Sequence, residues 1–499
     1  MRITNAMMIN NSLTNIATNK SQMNTLDTQL STLKKISRPS EDPIIAIRAL
    51  RLRSSLSEVT QYLEKNIPDA NSWLSVTQGS LKETNDIVSD LYQYCNQGST
   101  DTFATSERAT IADSLTNLKE SFYSQGNVDY AGRYVFSGFK TDSALTFMTT
   151  AEASNKSYSI TQNFSNNDIN AKTVYSNTVD LKTIDDATVS ANDILSPSST
   201  SVNRIMLGYS DVSGSKFTAI TYNNGASSIA VNPITTTDPN YVPKDDEVVL
   251  NTSTGELLLG KTAYNTLKSQ TDISFTYDKT SFAKGDVKPE HYFTCVDKTK
   301  DVTADKSDPS AWTNYKKSSE GQDIEYSVNF AQTIKVNTEA DQAFSIKLGR
   351  DVNELATSIQ NVIDIEAKQA KLSNMKSQNA YSDDASQAKI KSMTEALSKE
   401  RDLANENMQK TFEKGITKMQ NYQQQITSAN SDVGNRISRL TLTKSRLQEQ
   451  QTNFKELKSK NEDVEIEDIS VNYSSAQLVY NASLTAASKV VKQSLLDFL

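Results

Sequence analysis

Residues 412–454 read FEKGITKMQNYQQQITSANSDVGNRISRLTLTKSRLQEQQTNF. Every seventh residue of this stretch is apolar: Phe412, Met419, Ile426, Val433, Leu440, Leu447 and Phe454. Such a repeat is typical of a coiled-coil helix, and at ~1.5 Å per residue it spans ~64 Å. Because chance alone yields about 0.35 lines of this kind in a chain of this composition, the prediction also rests on the absence of proline from residues 350–499.

Both ends of the sequence carry the same seven-residue repeat. Near the N-terminus the apolar positions are Ile9, Ile16, Met23 and Leu30, with Leu26 and Leu33 between and after them. Near the C-terminus they are Leu484, Val491 and Phe498, and Leu495 and Leu496 add to the apolar end. Since a solitary helix cannot bury an apolar stripe, these residues predict packing between subunits, with an intramolecular bundle as the alternative. We therefore expect residues 1–40 and 460–499 to be disordered in the free monomer.

A corner interrupts the first helical arm at residues 38–43, which read RPSEDP. Pro39 disfavours helix at the preceding residue, and Asp42 followed by Pro43 predicts an N-cap and first turn for the next helix. The corner is either a capped turn within the chain or a place where Arg38, Glu41 and Asp42 contact a neighbouring subunit.

Further helices are predicted before residue 145. Pro68 and Gly79 are expected to mark breaks between them, and a separate amphipathic helix is expected over residues 107–123. Trp73 is expected to lie in the core. By contrast, residues 350–499 predict helix with few interruptions.

The middle of the chain, residues 138–340, has a different composition. Six of the nine prolines lie between Pro197 and Pro309, and runs such as 272–277 and 327–330 alternate polar with apolar residues. Turn signals at 223–225, 238–240 and 254–255 separate strand-like runs. The predicted fold class is therefore mainly α with an all-β insert, in which helices from both termini form one discontinuous coiled-coil body.

Composition excludes most enzyme chemistry. His291 is the one histidine, so His-based nucleophile pairs and multi-histidine metal centres have no ligands. Cys95 and Cys295 lie too far apart in sequence for a CxxC motif and are expected to be free thiols. His291 and Cys295 would face one side of a strand, but such a pair is most simply structural. We predict no catalytic, cofactor or metal site, and residues 245–247 are interpreted as a solvated loop rather than a calcium site.

Charge and hydropathy also restrict the partners. The net charge is -8 and no basic face dominates, which argues against nucleic acid. No segment approaches the ~18 apolar residues of a membrane span, and the N-terminal apolar run is too short for a secretory signal. We expect no membrane association and export without a cleavable signal peptide.

Six motifs resemble the flagellin superfamily, over about residues 1–145 and 345–499. They are MRIT at 1–4, RPSEDP at 38–43, NSWL at 71–74, GRYVFSG at 132–138, DVGNRI at 432–437 and SLLDFL at 494–499. The resemblance implies a bacterial protein exported unfolded through the flagellar type III channel. It also implies an inner tube of terminal helices, an outer tube of the next helices, and an extracellular adaptor role at the junction of hook and filament.

The implied segments follow from this resemblance. Residues 1–40 would pair with 460–499 in the inner tube, 41–145 with 345–459 in the outer one, and 146–344 would form the variable β insert. The implied partners are a ring of identical copies, a hook-associated protein on the hook side, flagellin or a second junction protein on the filament side, and an export chaperone at the C-terminal helix.

Two alternatives remain open. A filament-forming flagellin is the nearest, although flagellins carry an alanine-rich run where this corner reads PSEDP. In the second, the insert is an extracellular adhesin or binding module, and the helical arms only attach it.

Overall fold

The computed structural model describes residues 5–100, 105–213, 219–234, 240–299, 312–317 and 321–496, without the side chains of Asn5 and of 490–496. The chain divides into two compact units. The terminal unit comprises residues 1–70, 326–334 and 438–499, and the central unit comprises 71–325 and 335–437.

Helices dominate the described chain, which confirms the mainly α fold class. They are α1 (Asn5–Thr32), α2 (Pro43–Gln61), α3 (Ile67–Gly98), α4 (Thr105–Gln125), α5 (Thr150–Ser154), α6 (Lys261–Leu267), α7 (Ala340–Ala343), α8 (Ile346–Lys376), α9 (Asp384–Glu462) and α10 (Ile466–Leu496). The predicted helix over 107–123 is confirmed by α4. Among the described residues, no helix combines the length and hydropathy needed to cross a bilayer.

The strands are short. They are β1 (Asp129–Tyr130), β2 (Arg133–Tyr134), β3 (Tyr158–Phe164), β4 (Ile169–Ser176), β5 (Ser198–Met206), β6 (Ala219–Tyr222), β7 (Ser227–Ala230), β8 (Asn232–Ile234), β9 (Val248–Asn251), β10 (Glu256–Leu259), β11 (Ile273–Lys279), β12 (Thr294–Asp297), β13 (Thr313–Tyr315), β14 (Glu325–Asn329) and β15 (Gln332–Lys335). The runs at 272–277 and 327–330 correspond to β11 and β14, so both strand predictions are confirmed.

Two sheets build the insert. One has the strand order β4-β5-β10-β9-β8 and the other β13-β12-β3-β11-β6-β7; the neighbours are antiparallel except β8 and β9. Valines and a leucine from four strands of the first sheet pack together: Val174, Val202, Val249 and Leu258. The prediction of an all-β insert is too simple, because the short helices α5 and α6 also lie within it.

The turn predictions have three outcomes. Residues 223–225 form the β6–β7 turn, with positive φ at Asn223, Asn224 and Gly225. Gly255 closes the β9–β10 turn at φ +64, where an added Cβ would lie 2.0 Å from the Tyr209 carbonyl oxygen. Of the third signal, only Asn240 lies in the described part of the chain.

The seven-residue stripe of α9 is a core feature. Its first six members are almost completely buried, and Phe454 is half-buried. Gly415 permits close helix packing, because a Cβ there would lie 3.1 Å from Sγ of Cys95 on α3. Beyond Phe454 the helix is more exposed, since the side chain of Leu457 is 51% exposed.

Neither expected break in the second helical segment occurs. Residues 62–66 form a π-helical turn that leads directly into α3, with Pro68 in its first turn and Gly79 in its interior. A π turn contains an extra residue, which relieves the clash of a proline ring with the preceding turn. Gly79 costs only about 1 kcal/mol relative to alanine inside a helix, which packing can offset.

The helical stretch that begins at Ile346 has two interruptions. Helix α8 ends at Lys376 and α9 begins at Asp384, and the second interruption, at residues 463–465, lies near the segment boundary implied at residue 460. Polar side chains make the first break: the Ser377 hydroxyl donates to the Asn374 carbonyl, and the Asp383 carboxylate accepts from the Ser386 amide at 2.8 Å. Such bonds compete with the helical backbone, which proline and glycine counts do not detect.

The predictions for isolated core residues are mostly confirmed. Trp73 is fully buried, and both cysteines are buried free thiols. His291, however, lies in a 3₁₀ turn (Pro289–His291) and not on the strand that holds Cys295. Its Nε2 donates to the Ala144 carbonyl at 3.2 Å, and burial lowers the pKa of His291 to about 4.

We expect acid to destabilise the central unit through His291. Unfolding returns the pKa of the imidazole to about 6.5, so between pH 6.5 and 4 the unfolded chain binds a proton that the folded chain does not. The free energy of unfolding therefore decreases by about 3 kcal/mol as the pH falls over that range. Hydrogen exchange of insert amides measures this loss. In His291→Gln the slope between pH 6.5 and 5 should largely disappear, and an unchanged slope contradicts the assignment.

Candidate assembly surface of the terminal unit

Helices α1 and α10 pack against each other in an antiparallel pair. Near one end, the Lys35 amide donates to the Glu462 carbonyl at 2.8 Å, and the Val464 amide donates to the Leu33 carbonyl at 3.1 Å. Further along, Nδ2 of Asn19 donates to Oγ of Ser483 at 2.8 Å. The two terminal helices are therefore partners within one chain, which is the intramolecular alternative of the sequence analysis.

Half-buried residues mark the surface shared by the two helices, here called the seam. On α1 they recur at alternating intervals of three and four residues: Ile9, Ser12, Ile16, Asn19, Met23, Leu26 and Leu30. On α10 the corresponding residues are Tyr473, Ala476, Tyr480, Ser483 and Ala487, together with Ile469, which is fully buried. This spacing is the heptad pattern of a coiled coil. The four α1 residues chosen from sequence all lie on the seam, whereas Leu33 lies beyond the helix and is exposed.

The C-terminal candidates have a different outcome. Leu484 is 43% exposed and lies beside the seam, whose nearest members are Ser483 and Ala487. The side chains of Val491, Leu495, Leu496 and Phe498 lie outside the described residues. Sequence reasoning missed Tyr473 and Tyr480, because it followed large aliphatic residues; a heptad search that admits alanine, serine and tyrosine would have found this side of α10.

Large apolar side chains remain exposed away from the seam. Val471 and Leu478 are seven residues apart on the opposite side of α10, and Leu478 is 71% exposed. On α1, Met7 and Leu13 are also exposed. On α2, the side chains of Ile44, Ile47 and Leu50 are each more than half exposed. A single chain therefore leaves apolar surface of three terminal-unit helices in contact with water.

The corner at 38–43 is held by bonds within the chain. The Glu41 carboxylate accepts from the Ser37 amide at 2.7 Å, and Asp42 accepts from the amides of Ile44 and Ile45 at 2.9 and 3.1 Å. The predicted N-cap at Asp42 and the proline at the first helical position are confirmed. Arg38 is exposed, so of the three charged corner residues it is the one most available to a neighbour.

One buried carboxylate joins the corner region to α9. Glu462 accepts two hydrogen bonds from Arg53 on α2, at 2.7 and 2.6 Å, and lies 3.7 Å from Nζ of Lys34. The Glu462 side chain is 5% exposed, and the hydrogen bonds from Arg53 lower its pKa below the usual 4.5. Lys34 also forms an ion pair with Asp463. Sequence reasoning missed this network, because its members lie about 400 residues apart.

The geometry of the terminal unit offers contacts to other helices. Within the described ranges, no group of three or more His, Cys, Asp or Glu side chains has the arrangement of a metal site. What the terminal unit presents is a capped corner, an ion-pair network and exposed apolar helix surfaces, which together suit association with other helices.

Comparison with known proteins agrees with this reading. Residues 3–141 match the bacterial flagellin N-terminal helical region, and residues 416–499 match the bacterial flagellin C-terminal helical region. Both ends of the chain are therefore similar to flagellin helical regions.

Three relatives share modest identity with part of the chain. The chain is 27% identical over 146 residues to flagellar hook-associated protein 3 of Salmonella typhimurium and of Escherichia coli. The matched region is 29% of this chain and 45% of each relative, so the match spans less than half of their length. A flagellin of Clostridium tyrobutyricum is 27% identical over 120 residues, or 24% of this chain and 32% of that one.

Solved structures of related name align over most of the chain at low similarity. The FlgL structure from Xanthomonas campestris has 11% identity and a TM-score of 0.30, covering 82% of this chain and 99% of that one. Flagellar hook associated protein-3 from Legionella pneumophila has 10% identity and a TM-score of 0.30, covering 82% and 97%.

We predict that Arg53→Met destabilises the terminal unit by about 1–3 kcal/mol, because it leaves the buried Glu462 carboxylate with only Lys34 nearby. The contribution of the lowered Glu462 pKa is present above pH 4.5 and is lost as the pH falls through the folded pKa, so the variant should also lose part of its acid sensitivity. Hydrogen exchange of α2 amides measures both effects. Arg51→Met removes an exposed arginine of the same helix and serves as the matched control; equal effects of the two variants would refute the role of Glu462.

Proposed function

We propose that the protein is a structural subunit of the bacterial flagellum that joins hook to filament and acts by association, not by catalysis. The observation that carries the proposal is the α1–α10 pair, whose seam leaves large apolar side chains uncovered in the two regions that match flagellin helices. Burial of apolar area at ~25 cal/mol per Å² favours contact with further helices. The names of the relatives point to an association with the flagellar hook.

The arrangement in the assembly is part of the proposal. Residues 1–40 and 460–499 form the inner tube of a ring of identical copies, 41–145 and 345–459 form the outer helical layer, and 146–344 form the displayed insert. The proposed subunit contacts are Arg38, Leu484, Val491, Leu495, Leu496 and Phe498. Ile9, Ile16, Met23 and Leu30 contribute through the seam within each chain, and Glu41 and Asp42 through the bonds that hold the corner. The helix pair supports this arrangement, since its residual apolar surface needs neighbouring copies for burial.

The partners and the export route complete the proposal. A hook-associated protein binds on the hook side, and flagellin or a second junction protein binds on the filament side. The chain leaves the cell unfolded through the flagellar type III channel, and an export chaperone covers the C-terminal helix beforehand. The apolar side chains of α10 support the chaperone step, because they would otherwise be exposed to water in the cell.

A filament subunit is the second candidate, since one relative of similar identity is a flagellin. Immunogold labelling of isolated flagella separates the two functions. A narrow band of label between hook and filament is the expected result, whereas label along the whole filament favours flagellin. A deletion strain adds a second measurement: intact hooks with flagellin shed into the medium are expected for a junction protein.

We expect Leu478→Asp to prevent incorporation at the junction while leaving the monomer folded. The side chain is 71% exposed, so the charge costs the isolated chain little, but burial against a neighbour would desolvate it. Complementation of the deletion strain, scored by filament retention and immunogold, measures incorporation, and circular dichroism measures the fold. Asn481→Asp adds the same charge to an exposed position three residues away and should complement. Full complementation by Leu478→Asp would remove this side of α10 from the interface.

A further inference from the structure

A polar cleft of about 1150 Å³ lies within the central unit. One wall comes from the five-stranded sheet, through β4, β5 and β10, and the other from α8 and α9. Ligand-binding clefts typically enclose ~300–1,000 Å³, so the space is large enough for a short oligomer. The terminal unit contributes nothing to this cleft, and the proposed assembly does not use it.

The described lining is positively charged in an otherwise acidic protein. Seven lysines and arginines line the cleft against four aspartates and glutamates, whereas the whole chain carries a net charge of -8. Thirteen further lining residues are asparagine, serine or threonine, and the aliphatic ones are mostly alanines. Such a surface offers many hydrogen bonds and few apolar pockets.

Most of the cleft cations are neutralised within the chain. Lys172 lies 2.7 Å from the Glu256 carboxylate, and Arg204 forms ion pairs with both Glu256 and Glu354. Lys418 lies 2.7 Å from Asp351. Although burial opposes the ionisation of Glu256, Arg204 and Lys172 lower the pKa of its carboxyl group. Because these cations are paired within the chain, they leave little uncompensated positive charge for a ligand.

Arg350 differs from those cations. Its Nη2 donates to the Thr254 carbonyl, and its buried Nε, like that of Arg204, has no hydrogen-bond partner. No carboxylate of the described residues lies within ion-pair distance of its guanidinium. Burial lowers the pKa of Arg350, and the nearby carboxylates of Glu256 and Glu354 only partly offset this effect. Such a guanidinium has donor capacity left for a further acceptor.

Lys414 provides a second available cation. It is exposed on α9, lines the same cleft and forms no ion pair with the described residues. Glu354 forms an ion pair with Arg204 and lies 4.0 Å from Nζ of Lys418, so its negative charge is compensated by cations other than Lys414. The cleft therefore presents two free positive charges among many neutral donors and acceptors.

We propose that this cleft binds an acidic oligosaccharide whose carboxylate pairs with Arg350 and whose hydroxyls bond to the surrounding amide and hydroxyl side chains. A planar carboxylate matches a guanidinium, and sugar hydroxyls match asparagine and threonine. Tyr175 in the lining supplies an aromatic surface for a sugar ring. An acidic peptide is the less favoured occupant, because the cleft offers few apolar pockets for its side chains.

Isothermal titration of the purified full chain with trigalacturonate tests the proposal. We expect saturable binding that weakens as NaCl is raised from 0.05 to 0.5 M, about tenfold weaker binding in Arg350→Gln, and a smaller loss in Lys414→Gln. Lys444→Gln removes an exposed charge of α9 outside the cleft and should bind like the parent. Arg350→Gln should unfold at the same temperature or higher, since it removes an unpaired buried charge.

The comparison ligands make the test decisive. Methyl-esterified trigalacturonate has the same rings without the charge and should not bind; equal binding would refute the role of the carboxylate. Equal binding of triglutamate would refute the saccharide assignment, and equal competition by sulfate would reduce the site to a simple anion site. Absence of trigalacturonate binding at millimolar concentration refutes the proposal. If Arg350→Gln does not fold, Lys414→Gln against Lys444→Gln decides, and equal affinity of that pair refutes it. The assay uses monomer, so its failure leaves the assembly proposal unaffected.

Discussion

The terminal unit depends on the pairing of α1 with α10, because neither helix alone can keep its apolar residues from water. The seam buries only part of that surface: its α10 side contains Ala476 and Ser483, which cover little area. Val471 and Leu478 point away from it and remain exposed. Because the pair still exposes leucine and valine side chains, burial of these side chains against further helices would be favourable. Within one chain the two helices bury only part of each other's apolar surface. The apolar surface that remains exposed is the physical basis of the proposed polymer.

The connections at the base of this pair restrict how it can move. Leu33 adopts a positive φ of 55°, an uncommon conformation for a leucine, and its carbonyl accepts from the Val464 amide. Arg53 and Lys34 then hold Glu462 at the end of α9. Because this carboxylate is buried, losing a partner costs more than losing a surface pair. Charge thus fixes the geometry at one end, while the apolar residues further along the pair remain open to neighbours.

Sequence reasoning succeeded where periodicity or capping chemistry is local. The α9 stripe, the Asp42 cap and the alternating strands at 272–277 and 327–330 each need only neighbouring residues. It failed where a distant contact decides: the ion pair of Arg53 with Glu462 joins residues 409 positions apart. It also overestimated Pro68 and Gly79 as helix breakers. A π turn relieves the steric clash of Pro68, and packing offsets the cost of Gly79 inside the helix. On α10 the rule that large aliphatics mark the interface selected Leu484 and missed the tyrosines of the seam.

The central unit follows a different electrostatic rule from the terminal one. At Glu462 a buried carboxylate accepts two hydrogen bonds from Arg53 and lies near Lys34, so its negative charge is compensated within the chain. At Arg350 a buried guanidinium donates to one carbonyl and forms no ion pair with a carboxylate of the described chain. Folding tolerates such a cation only at a cost, since charged groups lose hydration on burial. A glutamine would fill similar space without that cost, so an arginine at this position is better explained by a ligand than by the stability of the insert.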